Sequence, residues 1–352
     1  MFKLVKHLYL PNPEGAADLS QANGKIGRMV LALVLGNLAV WAWALLSLRD
    51  SAALLGTALL AYSFGLRHAL DVDHIAAIDN VTRRLMHQGK KPVTVGLSFA
   101  TGHSLVVILA SLAIGLMAQS VSPYLSAVQN FGATIGNVVS VAFLLAIGLL
   151  NAVLLLDTYR KSGQGGGITQ HGHHAAGGIL SRLLRPLTGN IQSSWQMIPL
   201  GVLFGLGFET ATEVAVLGTS ALQASQGASL MTVLLFPCLF TMGMLTVDAI
   251  DGVLMLRVYG WAFITPQRKV FYNVTLTLTS TVLAMLIAGI NIADMVQEAY
   301  QLEGPVWAWL HELHESYTLL GALIVAVFLA SWLMSQILYR GQSVPLAARH
   351  PQ

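Results

Sequence analysis

Charge is what this chain has least of. Only 10% of its 352 residues are Asp, Glu, Lys or Arg, where soluble domains carry about 25%. So few charges cannot cover a water-exposed surface of that size, and a soluble multidomain globule is excluded. A single cysteine, Cys238, rules out a disulfide scaffold. No Gly-x4-Gly-Lys-Ser/Thr loop is present to cradle a nucleotide phosphate, which disfavours an ATP-driven pump. Met1 to Arg28 carries Pro11, Pro13 and Glu14 ahead of the first long apolar run, so no cleavable signal peptide is expected.

What is abundant is apolar. Hydrophobic residues make up 55% of the chain and the mean hydropathy is +0.66. Eight stretches are long enough to cross a hydrocarbon core, which takes about 20 helical residues: Met29–Leu48, Ala52–Val81, Val93–Ala118, Ile135–Leu156, Ile198–Leu217, Met231–Leu256, Val274–Ile292 and Leu319–Leu338. Backbone groups in lipid must be satisfied within their own segment, so these are helices. The expected fold is an all-α polytopic integral membrane protein of about eight transmembrane helices.

Lysine and arginine give the orientation. The connectors before span one, between spans two and three, four and five, and six and seven, and after span eight hold 17 of the 19 basic residues. By the positive-inside rule that side is cytoplasmic, and both termini are inside. The layout is then a cytoplasmic segment 1–28, helices one to four over 29–156, a cytoplasmic loop 157–197, helices five to eight over 198–340, and a tail 341–352. The loop is rich in glycine and holds His171, His173 and His174, while the last external connector holds four glutamates with His311 and His314. A net charge of +3 spread over short connectors reports topology, and no nucleic-acid partner is expected.

An internal repeat is visible. Phe64-Gly65-Leu66 returns as Phe204-Gly205-Leu206, and Asp73 meets Glu213, at an offset of 140; Phe99 and Gly102 meet Phe240 and Gly243 at 141. Three spans separate the copies, so they run in opposite directions, as in inverted-repeat transporters with sites near the midplane.

Acidic residues carry the chemistry. Asp71, Asp73, Asp79, Glu209, Glu213, Asp248 and Asp251 all fall inside spans, where each costs about 2.5–3.5 kcal/mol at a helix centre. His68, Asp71 and His74 are successive i, i+3 neighbours that share one face of a regular helix; Asp73 points elsewhere unless the helix kinks. Imidazoles with carboxylates suit Ni²⁺, Co²⁺, Zn²⁺ or Fe²⁺. His103 on span three could complete the set. Glu209 and Glu213, i and i+4, share a face with Thr210 and Thr212 nearby. Span six adds Met244, Asp248 and Asp251. Two acidic pairs in adjacent spans repel unless cations or protons stand between them, and Arg67 alone cannot neutralise seven acids. The bland alternative is a buried polar network or proton relay that ties helices together.

Arg67-His68-Ala69-Leu70-Asp71-Val72-Asp73-His74-Ile75 resembles the His-x4-Asp-His signature of the nickel/cobalt transporter family of secondary permeases. Thr101-Gly102-His103-Ser104, Glu209-Thr210-Ala211-Thr212-Glu213 and Gly243-Met244 through Asp248 to Asp251-Gly252 resemble its motifs in the third, fifth and sixth spans, in order. The resemblance implies high-affinity uptake of Ni²⁺, Co²⁺ or both across the cytoplasmic membrane, with no prosthetic group and no enzymatic activity. Metal handling would fall to His68, Asp73, His74 and His103, with the acids of spans five and six in support, and cytoplasmic metal-acceptor proteins would receive the ion. Glu209 stands where the family usually has Asp, and Val72 where it usually has a small residue. The competing readings are an efflux permease of a related family and a membrane metalloenzyme; a di-iron enzyme needs about eight histidines, and these spans hold three.

Overall fold

The protein is described by a computed structural model over residues 13–121, 125–163, 191–206, 211–262 and 266–316, with a few more between 319 and 326. The described secondary structure is helical throughout. In chain order the helices are α1 (Pro13–Ser47), α2 (Ala52–His68), α3 (Val72–His87), α4 (Val95–Val121), α5 (Leu125–Gly163), α6 (Met197–Gly205), α7 (Ala211–Ser225), α8 (Leu230–Ala262), α9 (Pro266–Tyr300) and α10 (Pro305–Glu315). Among the described residues, four helical stretches are long and apolar enough to cross a membrane by themselves: Ala22–Ser47, Val95–Leu116, Leu230–Val258 and Thr281–Tyr300. The last three lie within α4, α8 and α9.

The second span departs from expectation. Ala52–Val81 is not one helix: α2 stops at His68, Ala69 to Asp71 turn, and α3 starts at Val72. Leu70 N–H donates to the Arg67 carbonyl at 3.0 Å and Asp71 N–H to the His68 carbonyl at 2.9 Å, so the turn keeps its own donors satisfied. The backbone at Gly321 lies directly against the Leu70 carbonyl, where any Cβ would overlap it. The fifth span also departs, with α6 ending at Gly205 and α7 beginning at Ala211. The last connector, Met295 to Ser316, contains α10. Most of the eighth span and the loop histidines His171, His173 and His174 lie outside the described residues, as do Glu209 and Thr210.

The core is built on two crossings of short helix on long. Gly65 of α2 lies against the Phe240 carbonyl of α8, and Gly243 of α8 against the Tyr62 carbonyl and Leu66 nitrogen of α2. In the same manner Gly102 of α4 lies against the Ile198 carbonyl of α6, and Gly201 of α6 against the Phe99 carbonyl of α4. In lipid there is little hydrophobic force between helices, so close backbone packing at small residues supplies the attraction. The long helices α4 and α8 are antiparallel: Gly96 meets Asp248 and Gly252, while at the other end Gly115 meets Leu230 and Val233. An apolar cluster of Ala58, Ala61, Ala100, Leu235, Phe236, Phe240 and Met244 fills the space beside these crossings. Asn37 ties α1 on, accepting from Tyr62 Oη at 2.9 Å and donating to Thr246 Oγ1 at 3.1 Å. Helices α5 and α9 pack on each other around Leu144, Ala284 and Ala288, with Val72 and Ala76 of α3 in the same cluster.

Candidate metal centre

The break in the second span is what assembles the centre. It places His68 at the end of α2 and His74 in the first turn of α3 with ring centroids 4.7 Å apart. His103 of α4 stands 4.9 Å from each of them. One ligating atom from each of the three lies within 4.8 Å of the other two. All three are buried, at 2–3% exposure.

Carboxylates set the direction of two rings. Asp71 begins α3 in extended backbone without capping it; its carboxylate turns back to His68 Nδ1 at 3.2 Å, with Thr212 Oγ1 at 3.4 Å from the same nitrogen. His74 Nδ1 meets Asp248 Oδ2 at 3.3 Å. Assigned from these partners, each Nδ1 carries the proton and donates it, leaving the lone pair on Nε2. A carboxylate behind an imidazole fixes the ring, sets the tautomer and raises ligand basicity.

His68 Nε2 and His103 Nε2 stand 3.1 Å apart, and Glu213 Oε1 is 2.7 Å from His103 Nε2 and 3.8 Å from His68 Nε2. Atoms rich in lone pairs crowd this closely only with a proton or cation between them. Two nitrogen ligands at right angles on one ion, with bonds of about 2.1 Å, stand about 3.0 Å apart. The trio is thus spaced as donors around one small dication. Borderline nitrogen and oxygen donors suit first-row divalent metals, and a carboxylate offsets part of the ion's charge. Glu213 sits in the first turn of α7, where the helix N-terminus favours an anion.

The other sequence candidates divide. Asp73, also in a helix first turn, accepts from Ser140 Oγ of α5 at 3.4 Å and stands outside the group of three imidazoles. Met244 packs within the apolar cluster. Asp251, one turn beyond Asp248 on α8, is buried, and among the described residues neither of its carboxylate oxygens has a hydrogen-bond partner; Asp248 and Asp79 are like charges near it. Arg67 is exposed. Sequence reasoning did not anticipate the orienting role of Asp71, nor Ser140 as the partner of Asp73. It also left unread the polar knot on α3, where Arg83 Nη2 and Asn151 Nδ2 both donate to Asn80 Oδ1, at 3.1 and 2.9 Å. His311 and His314 fall on α10, and their side chains lie outside the described residues.

Comparison with known proteins agrees with this chemistry. A family profile described as NicO, high-affinity nickel-transport protein, matches residues 54–338. The chain is similar to the high-affinity nickel transport protein of Cupriavidus necator, 44% identical over 322 residues that cover 90% of this chain and 92% of that one. It is similar to the hydrogenase nickel incorporation protein HupN of Bradyrhizobium diazoefficiens, 42% identical over 95% of this chain and 89% of that one. With the cobalt transport protein NhlF of Rhodococcus rhodochrous it shares 38% identity over 79% and 81%. No solved structure matches. The chain belongs to the NicO family of high-affinity nickel-transport proteins.

Proposed function

We propose that this chain is a secondary carrier for uptake of Ni²⁺ or Co²⁺ through the cytoplasmic membrane, as eight spans with both termini inside. Helices one to four lie in 29–156 and five to eight in 198–340; spans two to four and spans five to seven form an inverted repeat about a midplane site, with segments 1–28, 157–197 and 341–352 in the cytoplasm. The observation that carries the reading is the buried convergence of His68, His74 and Glu213, from end turns of interrupted helices, on His103 of the long helix α4. Interrupted spans near the midplane are where transporters of this architecture hold ions. His68, His74 and His103 bind the metal, Asp71 and Asp248 orient rings, and Thr212 steadies His68. Asp73 anchors the break to α5. Glu209 and Thr210 continue the polar face of the fifth span, and Met244 backs the site from α8. No resident cofactor enters the cycle; the ion is the cargo, and a cytoplasmic metal-acceptor protein takes it.

An inside-negative potential suffices as driving force. At about 2.3 kcal/mol per charge per 100 mV, a dication gains about 4.6 kcal/mol, or about three powers of ten in concentration ratio. Labelled nickel should enter cells carrying the protein and not cells lacking it. Graded cobalt should compete strongly, and collapse of the membrane potential should slow entry. Nickel leaving preloaded cells faster when the protein is present would establish efflux instead.

The exit lies along α8. Asp251 is within electrostatic reach of both Asp248 and Asp79, and its oxygens are without partners among the described residues, a costly state for a buried carboxylate. We assign it to passing the ion from the imidazoles toward the cytoplasm. Asp251→Asn should lower maximal uptake about tenfold while half-saturation for nickel stays put. Unchanged maximal uptake would remove Asp251 from the path.

A further inference from the structure

Two phenylalanines close the imidazole cluster from opposite sides. Phe99 of α4 and Phe240 of α8 occupy equivalent places in the two sequence copies, and both are fully buried. The Phe99 ring stands perpendicular to His74 at 4.9 Å between centroids and edge-on to Phe204 at 5.3 Å. The Phe240 ring lies tilted on His68 at 5.4 Å. Their levels differ. Because α4 and α8 are antiparallel, with Gly96 beside Asp248, Phe99 lies three residues from that level. Phe240 lies eight residues from it in the same direction. At about 1.5 Å per residue the two positions are roughly 8 Å apart along the helix pair. The three histidines fill that interval, His74 beside Phe99 and His68 beside Phe240.

Each phenylalanine is also pinned by its backbone. The Phe240 carbonyl is the seat of Gly65 on α2, and the Phe99 carbonyl is the seat of Gly201 on α6. The main chain of each is therefore fixed at a crossing with a short helix of the other half. Opening past it falls to the ring. An apolar ring across a polar cage keeps water from the metal-binding atoms and strengthens their pull on a dication.

We propose that Phe240 and Phe99 are two gating side chains, one on each membrane side of the histidine cage, that shut it to water and let the ion pass one side at a time. This rests on the carrier reading above, and the test separates the two because it needs no metal. In a Cys238→Ser background, Thr212→Cys places a lone thiol beside His68. Sealed right-side-out and inside-out vesicles are then treated with a membrane-impermeant methanethiosulfonate. With both phenylalanines present, modification should be slow from either face. Phe240→Ala should speed it about tenfold from one face, and Phe99→Ala by a similar factor from the opposite face. Phe240→Leu and Phe99→Leu keep apolar bulk without the ring, and should shift the rate in the same directions by less if the alanine variants fail to accumulate. Any result other than acceleration from opposite faces overturns the proposal, whatever the nickel uptake of the same variants.

Discussion

Alanine in place of His68 or His74 is expected to lower nickel uptake about 100-fold or more, while the amount of protein in the membrane stays near normal. The size follows from geometry. Each ring supplies one of three nitrogens gathered within 4.8 Å, and a desolvated dication cannot replace a lost ligand with bulk water in a site this buried. His68 bridges two carboxylate environments, with Asp71 behind it and Glu213 in front, so its loss leaves Glu213 with one imidazole where it faced two. His74 joins the cluster to Asp248, and its loss interrupts the route as well as the cage. The fold should tolerate both changes, because backbone crossings elsewhere hold the helices. Labelled nickel uptake normalised to immunoblotted protein is the measurement; uptake within a factor of two of the parent would refute the assignment of these rings.

Alanine in place of Gly102 is expected to do the reverse, removing the folded protein before transport can be asked about. A Cβ there would overlap the Ile198 carbonyl and press on the Val202 nitrogen. Neither is a flexible side-chain end, so α4 and α6 would have to separate along their length. That separation would pull His103 away from Glu213, since the histidine follows the glycine directly. Gly56→Ala serves as the control: it also sits in a predicted span, but nothing lies within 4 Å of its added methyl. Size-exclusion profiles in detergent should show a monodisperse peak for Gly56→Ala and its loss for Gly102→Ala. A normal peak for both would mean the crossing is looser than its geometry.

Much of the site could be read from residue types, because burying charge in lipid is costly enough to mark function by itself. His68, His74, His103, Glu213 and Asp248 stand out on that ground, and their side chains lie together in the fold. What hydropathy could not reveal was the turn at Ala69 to Asp71. No glycine or proline announces it, and the polar residues around it, His68, Asp71 and His74, fit one face of a continuous helix almost as well. The consequence was a misplaced partnership: on an unbroken helix Asp71 belongs beside His74 as much as His68, whereas in the folded chain it serves His68. Asp73 illustrates the converse limit. Its sequence offset from Glu213 is real, yet Glu213 reaches two imidazoles while Asp73 takes a hydrogen bond from Ser140. Equivalent positions in a repeat share backbone geometry; the side chains they meet depend on helices outside the repeat register.

The glycine-seated crossings have one more consequence. Each joins a short helix from one half of the sequence to a long helix from the other, α2 with α8 and α6 with α4. The chain's midpoint is therefore not a seam. Severing it between residues 163 and 191 would put the two members of each partnership on different fragments. The two halves of the sequence are interlaced, like clasped hands.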